Sequence, residues 1–218
     1  MQPVRTDGVI VLLLLALVVA LAAFYLPWVE HISAGFTMNG FDLAEWASLH
    51  PAVRSSSPPL LTSFLLRLPQ VAVAIGLALA AGALSDPRWR AIGWAAALVV
   101  ALRYIPPTEF WQGARGDPNY RQMALLTAIG VLGVGLGALL RRLAARWLAA
   151  GAALLVIAGV AAGWAGLSRT GELLDNFEIA TSAGSGPPLY TGAAVVVGLL
   201  AAWMVRAEGA RRATKKGD

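Results

Sequence analysis

Apolar residues run through this chain in long unbroken stretches, and the polar ones gather between them. Charge-free windows of about 17 to 20 apolar residues mark helices able to cross a bilayer. They fall over residues 9–29, 68–85, 91–105, 123–140, 147–167 and 189–205. The third is the shortest and contains Arg103, so its start is expected earlier, at Trp89. The pattern predicts an all-α integral membrane protein with six transmembrane helices. Its expected parts are an N-terminal span (1–29), an outer segment (30–67), a five-helix remainder of the bundle (68–205) and a basic tail (206–218).

The connections alternate in size. "SDPRWR" and "RRLAAR" are tight, whereas residues 30–67, 106–122 and 168–188 are longer. This predicts three hairpins that leave the membrane on one side, the side where specific work is expected. "SSSPPLL", "GDPNY" and "GSGPPLY" each precede an even-numbered span, as shared loop-to-helix punctuation rather than an internal repeat.

Charge orients the pattern. With the N-terminus inside, the inner side holds eleven of the seventeen basic residues against four carboxylates, a net of +7. Among them are Arg5, Arg88, Arg90, the Arg141, Arg142 and Arg146 group, and the tail. The outer side holds six arginines against eight carboxylates, a net of −2. Basic short loops belong on the cytoplasmic side, so both termini are expected there. The pI of 10.2 is then a topology signal, and no nucleic-acid partner is expected.

Composition narrows the class further. Only 13% of residues are charged and mean hydropathy is +0.67, against about a quarter charged in soluble domains. Twenty-three glycines, with abundant alanine, suit close helix packing in lipid. The absence of Cys excludes disulfides, thiolate metal sites and covalent haem attachment. "MQPVRTDG" resembles the start of a signal peptide, with Ala20-Leu21-Ala22 like a cleavage site. The apolar run continues through "AFYLPWV", so the first helix is expected to be retained.

One polar stretch reads like a piece of a soluble protein: "NGFDLAEWASLHP", residues 39–51. Asn39-Gly40 signals a turn, Asp42 with Glu45 forms a capping pattern, and Pro51 is expected to end the helix. Leu43, Trp46, Ala47 and His50 fall on one side, with Phe41 just before. Two turns of helix do not stand alone in water, so this side must rest on bilayer, outer loops or a partner. "HISAGFTM" alternates as a short strand or hairpin arm would. "RSSSPPLLTSFLLR" is a linker leading into an outward extension of the second span, with Arg67 and Pro69 near the interface and a kink.

Candidate chemistry is sparse. His31 and His50 are the only histidines, and imidazoles can ligate haem iron or metal. Without accompanying ligand spacing, an interface residue and a helix-end cation are the expected roles. Glu30, Asp42 and Glu45 lack the dense spacing of a cation loop. Arg103, beside Tyr104 and Glu109, either snorkels and pairs locally or contacts an anion. "PPTEFWQGARGDPNYR" concentrates Phe110, Trp111 and Tyr120, which suit an interface belt or a protein contact. Leu173, Leu174, Phe177 and Ile179 suggest a short amphipathic turn or strand, and Ser185 has no base nearby and reads as part of a turn. No span carries a carboxylate, His or Lys at its middle, which argues against a proton-coupled pump. Nucleotide-loop, zinc-helix and dinucleotide motifs are absent.

"YLPWVEHISAGFTMNGFDL" and "GSGPPLYTGAAVVVGLL" resemble the first-span exit and last-span entry of small bacterial polytopic inner-membrane proteins. In those, Pro-Trp closes the first helix and Gly-x-Gly opens the last. The resemblance implies a bacterial cytoplasmic (inner) membrane and carries over no functional residues.

The expected function is a non-enzymatic accessory or structural subunit of a membrane complex, in contact with lipid and with other membrane or extracytoplasmic subunits. Phe41, Leu43, Trp46, Phe110 and Trp111 are its expected contacts, and no cofactor is expected. The alternative is a transporter or lipid-handling protein with an anion contact at Arg103. A third reading is a haem- or pigment-binding electron-transfer subunit using His31 or His50.

Overall fold

The computed structural model describes residues 6–31, 36–175 and 181–217. Arg5, Phe177 and Ile179 lie outside the described residues, as do the tail side chains beyond residue 207.

Helix α1 (Thr6–Phe24) follows the first apolar run but stops short of residue 29. Pro27 has no N–H with which to continue the helix. The N–H groups of Tyr25 and Leu26 turn back to the Ala22 and Ala23 carbonyls, and Trp28 Nε1 donates to Ala23 O at 3.2 Å. Carbonyls left open at a helix end are thereby satisfied. The chain leaves as strand β1 (Pro27–His31) and returns antiparallel as β2 (Phe36–Asn39). The two expected helix-end residues Trp28 and Val29 are therefore strand residues, both buried.

Helix α2 (Gly40–Leu49) follows at once and ends just before Pro51, with His50 in extended backbone as a residue preceding proline prefers. Pro51 then opens a further short helix, α3 (Pro51–Arg54). Helix α4 (Leu61–Gly82) begins in the expected outward extension and carries Pro69 within it. Helix α5 (Pro87–Ala101) starts ahead of Trp89 and closes in a 3-10 turn over Leu102–Tyr104. Helices α6 (Thr108–Gln112), α7 (Pro118–Leu139) and α8 (Ala145–Asp175) come next. Helix α8 runs on past residue 167, so Leu173 and Leu174 are helical rather than part of a separate turn. Strand β3 (Ser182–Ala183) precedes the last helix, α9 (Gly186–Gly217). It pairs with β1, giving a small sheet of order β2-β1-β3 that joins the segment after α1 to the one before α9.

Five helices are long and apolar enough to cross a membrane: Asp7–Phe24, Leu61–Gly82, Pro118–Arg142, Ala145–Asp175 and Gly186–Ala207. The chain is thus a helical, membrane-embedded protein with a small sheet at one end. Helix α5 is not among the five. Its 15 residues cover about 22 Å at 1.5 Å each, less than a hydrocarbon core of about 30 Å.

Helix α4 is the most buried of the five; α1, α5, α7 and α8 pack against it, and α9 packs on α1 and α8. Asp7 meets Ser85, so α1 runs antiparallel to α4. Trp94 Nε1 donates to Ala78 O at 3.0 Å and Gln70 Nε2 to Val100 O at 3.2 Å, so α5 does the same. Gln122 reaches Leu60 while Gly137 abuts Ala78, which makes α7 parallel to α4. Small residues set the spacing: a Cβ on Gly166 of α8 would lie 2.8 Å from Leu66 Cγ, and one on Gly137 would lie 3.1 Å from Ala78 Cβ. Such close approach is how helices gain packing energy where no hydrophobic force drives them together. The arrangement brings the sheet, α2, α3 and α6 to one end of the bundle.

Candidate functional site

The sheet end of the bundle carries its densest polar chemistry, and α2 seats it. Asn39 caps that helix: its Oδ1 accepts the Phe41 and Asp42 N–H groups at 2.9 Å each, while its Nδ2 donates to Asp42 Oδ2 at 2.7 Å. The cap expected at Asp42 and Glu45 is therefore corrected by three positions. Asn39 leads into the helix with extended backbone, as an N-cap requires. Leu43, Ala44 and Ala47 are fully buried where α2 meets the bundle.

Glu45, released from capping, reaches Arg67 on α4, whose Nη2 donates to Glu45 Oε1 at 2.6 Å. The Arg67 side chain is completely buried, and that of Glu45 is 33% exposed. Arg67 Nη1 donates to Gln122 Oε1 at 2.8 Å, an acceptor shared with Ser63 Oγ at 2.9 Å. Gln122 Nε2 in turn donates to Leu60 O at 3.0 Å. The guanidinium also sits 5.8 Å from the Tyr104 ring centroid. Three elements, α2, α4 and α7, thus meet on one buried cation. Arg67 Nε and the Tyr104 hydroxyl are buried with no hydrogen-bond partner among the described residues.

Arg103 lies at the edge of this cluster. It is exposed, and its guanidinium stands 4.0 Å from the Phe41 ring centroid. Phe41 stacks on Tyr104, with centroids 5.9 Å apart and planes 14° from parallel. Among the described residues no carboxylate pairs with Arg103, so the expected local partner Glu109 is not one. Burial pushes the Tyr25 phenol up, against the opposing pull of Arg103 and Gln70.

A second ion pair ties α3 to the start of α7. Arg54 Nη2 donates to Asp117 Oδ2 at 2.8 Å. Asp117 also caps α7, accepting the Asn119 and Tyr120 N–H groups at 2.8 and 3.2 Å. Burial pushes its carboxyl up, but Arg54 and those two N–H groups outweigh it and hold the pKa below the ordinary value. A small cavity of about 170 Å³ lies nearby, between the α3–α4 linker and the end of α8. Ser56, Ser57, Arg169 and Glu172 are among its lining residues.

The expected contact residues divide. Leu43 is wholly covered by its own chain, so it has no surface left for a partner. Phe41 is half-buried and engaged by Tyr104 and Arg103. Trp46 is half-buried beside the His50 ring. Phe110 is half-buried and packs edge-on against Trp111, which is itself 60% exposed. His50 bridges two helices, ending α2 and accepting the Ala52 N–H on Nδ1 at 3.2 Å to begin α3. His31 closes β1. Among the described residues no group of three or more His, Asp or Glu comes together to hold a metal ion.

Sequence reasoning missed Arg67 as a centre. Its signal was an arginine followed three residues on by Gln70, at the entry of an otherwise apolar helix. An ionisable residue at such depth is a functional candidate by default. No protein-family model matches this chain, and neither a curated protein nor a solved structure does.

Proposed function

We propose that this chain is a non-enzymatic accessory or structural subunit of a bacterial inner-membrane complex, docking through the sheet end of its bundle. The observation that carries the reading is how that end is held. The sheet links the first outer segment to the third, the Arg54–Asp117 pair links the first to the second, and Arg67 with Gln122 fixes both to the bundle. Rigid elements locked by supporting hydrogen bonds make a preorganised contact surface. Trp111 and Leu49 stand exposed on it, with Trp46 partly so. Burial of the Arg67 charge against Glu45 serves architecture rather than turnover. In this reading α5 is the sixth span, helped across by its terminal turn, and both termini lie in the cytoplasm beside the inner arginines.

The test is gentle purification from native membranes, with mass spectrometry of what accompanies the protein. Stoichiometric partners that are lost with Trp111→Ala and Trp46→Ala, in protein that melts as the wild type does, are the expected result. A chain that runs alone, or whose partners ignore both substitutions, overturns it.

One observation favours the lipid-handling alternative: the exposed Arg103 guanidinium, held over Phe41 and free of any carboxylate among the described residues. In that reading Arg103 contacts an anionic headgroup or substrate, and Arg103→Gln abolishes its binding.

A further inference from the structure

At the end of the bundle away from the sheet, α5 and α7 part company. They touch farther up, where a Cβ on Gly130 would lie 3.0 Å from Ala101 Cβ. Toward the other end a cleft of about 530 Å³ opens between them, lined by Trp94, Ala138, Leu139, Arg141 and Arg142. The Trp94 ring is fixed there by its Nε1 hydrogen bond to Ala78 O. Leu139, 78% exposed, continues upward into Leu136 and Leu132, also exposed. Positions three and four apart share a helix face, so these leucines form an apolar track leading away from the cleft.

The charges at this end are unequally used. Arg90 donates from Nε and Nη2 to Leu84 O at 3.1 and 2.7 Å, covering the open carbonyls after α4. Of the two nearby carboxylates, Asp7 accepts from Ser85 Oγ and Asp86 caps α5 through the Arg88 N–H at 2.7 Å. Arg141 and Arg142 share one exposed 3-10 turn, Leu140–Arg142, and no carboxylate pairs with either among the described residues.

We propose that this cleft binds an anionic phospholipid, with Arg141 and Arg142 taking the phosphate and the acyl chain lying on Trp94, Ala138 and the leucine track. A basic pocket between spanning helices at the membrane edge has the chemistry that recognises such headgroups. Arginine presents a planar fork matched to phosphate oxygens. The apolar part of the lining, Trp94, Ala138 and Leu139, adds nothing for a free phosphate ion, and the two arginines give a zwitterionic lipid less than an anionic one. Topology alone asks for basic residues at this end, but it asks for no cleft beneath them.

The full chain in dodecyl maltoside, titrated with phosphatidylglycerol and phosphatidylcholine and followed by native mass spectrometry, tests the site. One phosphatidylglycerol is expected to bind in preference to phosphatidylcholine by about thirtyfold, the size that two arginines near a lipid surface supply. Arg141→Gln with Arg142→Gln removes the preference, and the paired lysine variant keeps most of it. Ala138→Trp fills the cleft with its charges intact and also removes binding. Arg206→Gln, an exposed arginine at the same end, leaves it unchanged. Wild-type binding by either folded cleft variant, an equal loss in Arg206→Gln, or displacement of the lipid by inorganic phosphate overturns the assignment.

Discussion

Glu45 and Arg67 meet at 2.6 Å, with the arginine side chain wholly out of solvent and the carboxylate one-third in it. A buried guanidinium is tolerable only when its charge is matched and further hydrogen bonds support it, as they do at both Nη atoms here. Here the match comes from a surface helix and the second acceptor from Gln122 on another spanning helix. The seat of α2 and the charge inside α4 therefore depend on each other.

Breaking that pair from the carboxylate side is the harsher change. Glu45→Ala leaves the buried cation unmatched and is expected to cost on the order of 3 kcal/mol, read as a lowered thermal midpoint in detergent. Arg67→Met removes the charge itself and leaves Glu45 free to turn to water, so it costs less. The double variant should recover much of the Glu45→Ala loss, and a strictly additive double variant contradicts the coupling.

Asn39 rather than Asp42 should behave as the cap of α2. Asn39→Ala loses two N–H acceptor contacts and is expected to cost about 1 kcal/mol. Asp42→Ala should cost clearly less. Thermal melts of the two variants side by side decide the order.

Asp117 makes stability depend on pH at the acid end. Its carboxyl pKa is lowered in the fold, so its contribution is complete above the unfolded value of about 3.9. It is lost as pH falls through the folded value. The stability gap between wild type and Asp117→Asn should be constant from neutral pH down to about 5 and close below about 4. A gap unchanged at the lowest pH would mean that the Arg54 pairing contributes nothing.

Glycine positions separate tight from open contacts. A Cβ on Gly184 would collide with the Pro27 carbonyl oxygen in the β1–β3 pairing. Backbone cannot swing aside as a side chain can, so Gly184→Ala should cost about 1–3 kcal/mol. Gly135, on α7, has nothing within 4 Å of the added carbon. Gly135→Ala should be neutral or slightly stabilising, because alanine favours the helix. Equal melting shifts for the two variants would contradict this account.

The apolar runs by themselves determined that the chain is helical and membrane-embedded, where its long helices lie, and which connections are long. Those features follow from residue type and local spacing, which a bilayer reads much as a sequence window does. They misled where a local rule met a tertiary one. The helix expected through Val29 ends at Phe24, since Val29 finds strand partners 9 residues on, at Met38, and again at Ala183. Glu45 looked like a cap because Asp42 stands three residues before it, yet it is spent on an arginine 22 residues away. Leu43 looked available to a partner, and folding covers it. Gln122 gave no sign that it would share Arg67 from 55 positions off. Pairing across such distances depends on how the helices cross around α4. That crossing is set by which small residues let two backbones approach, a property of two surfaces together that neither segment carries alone.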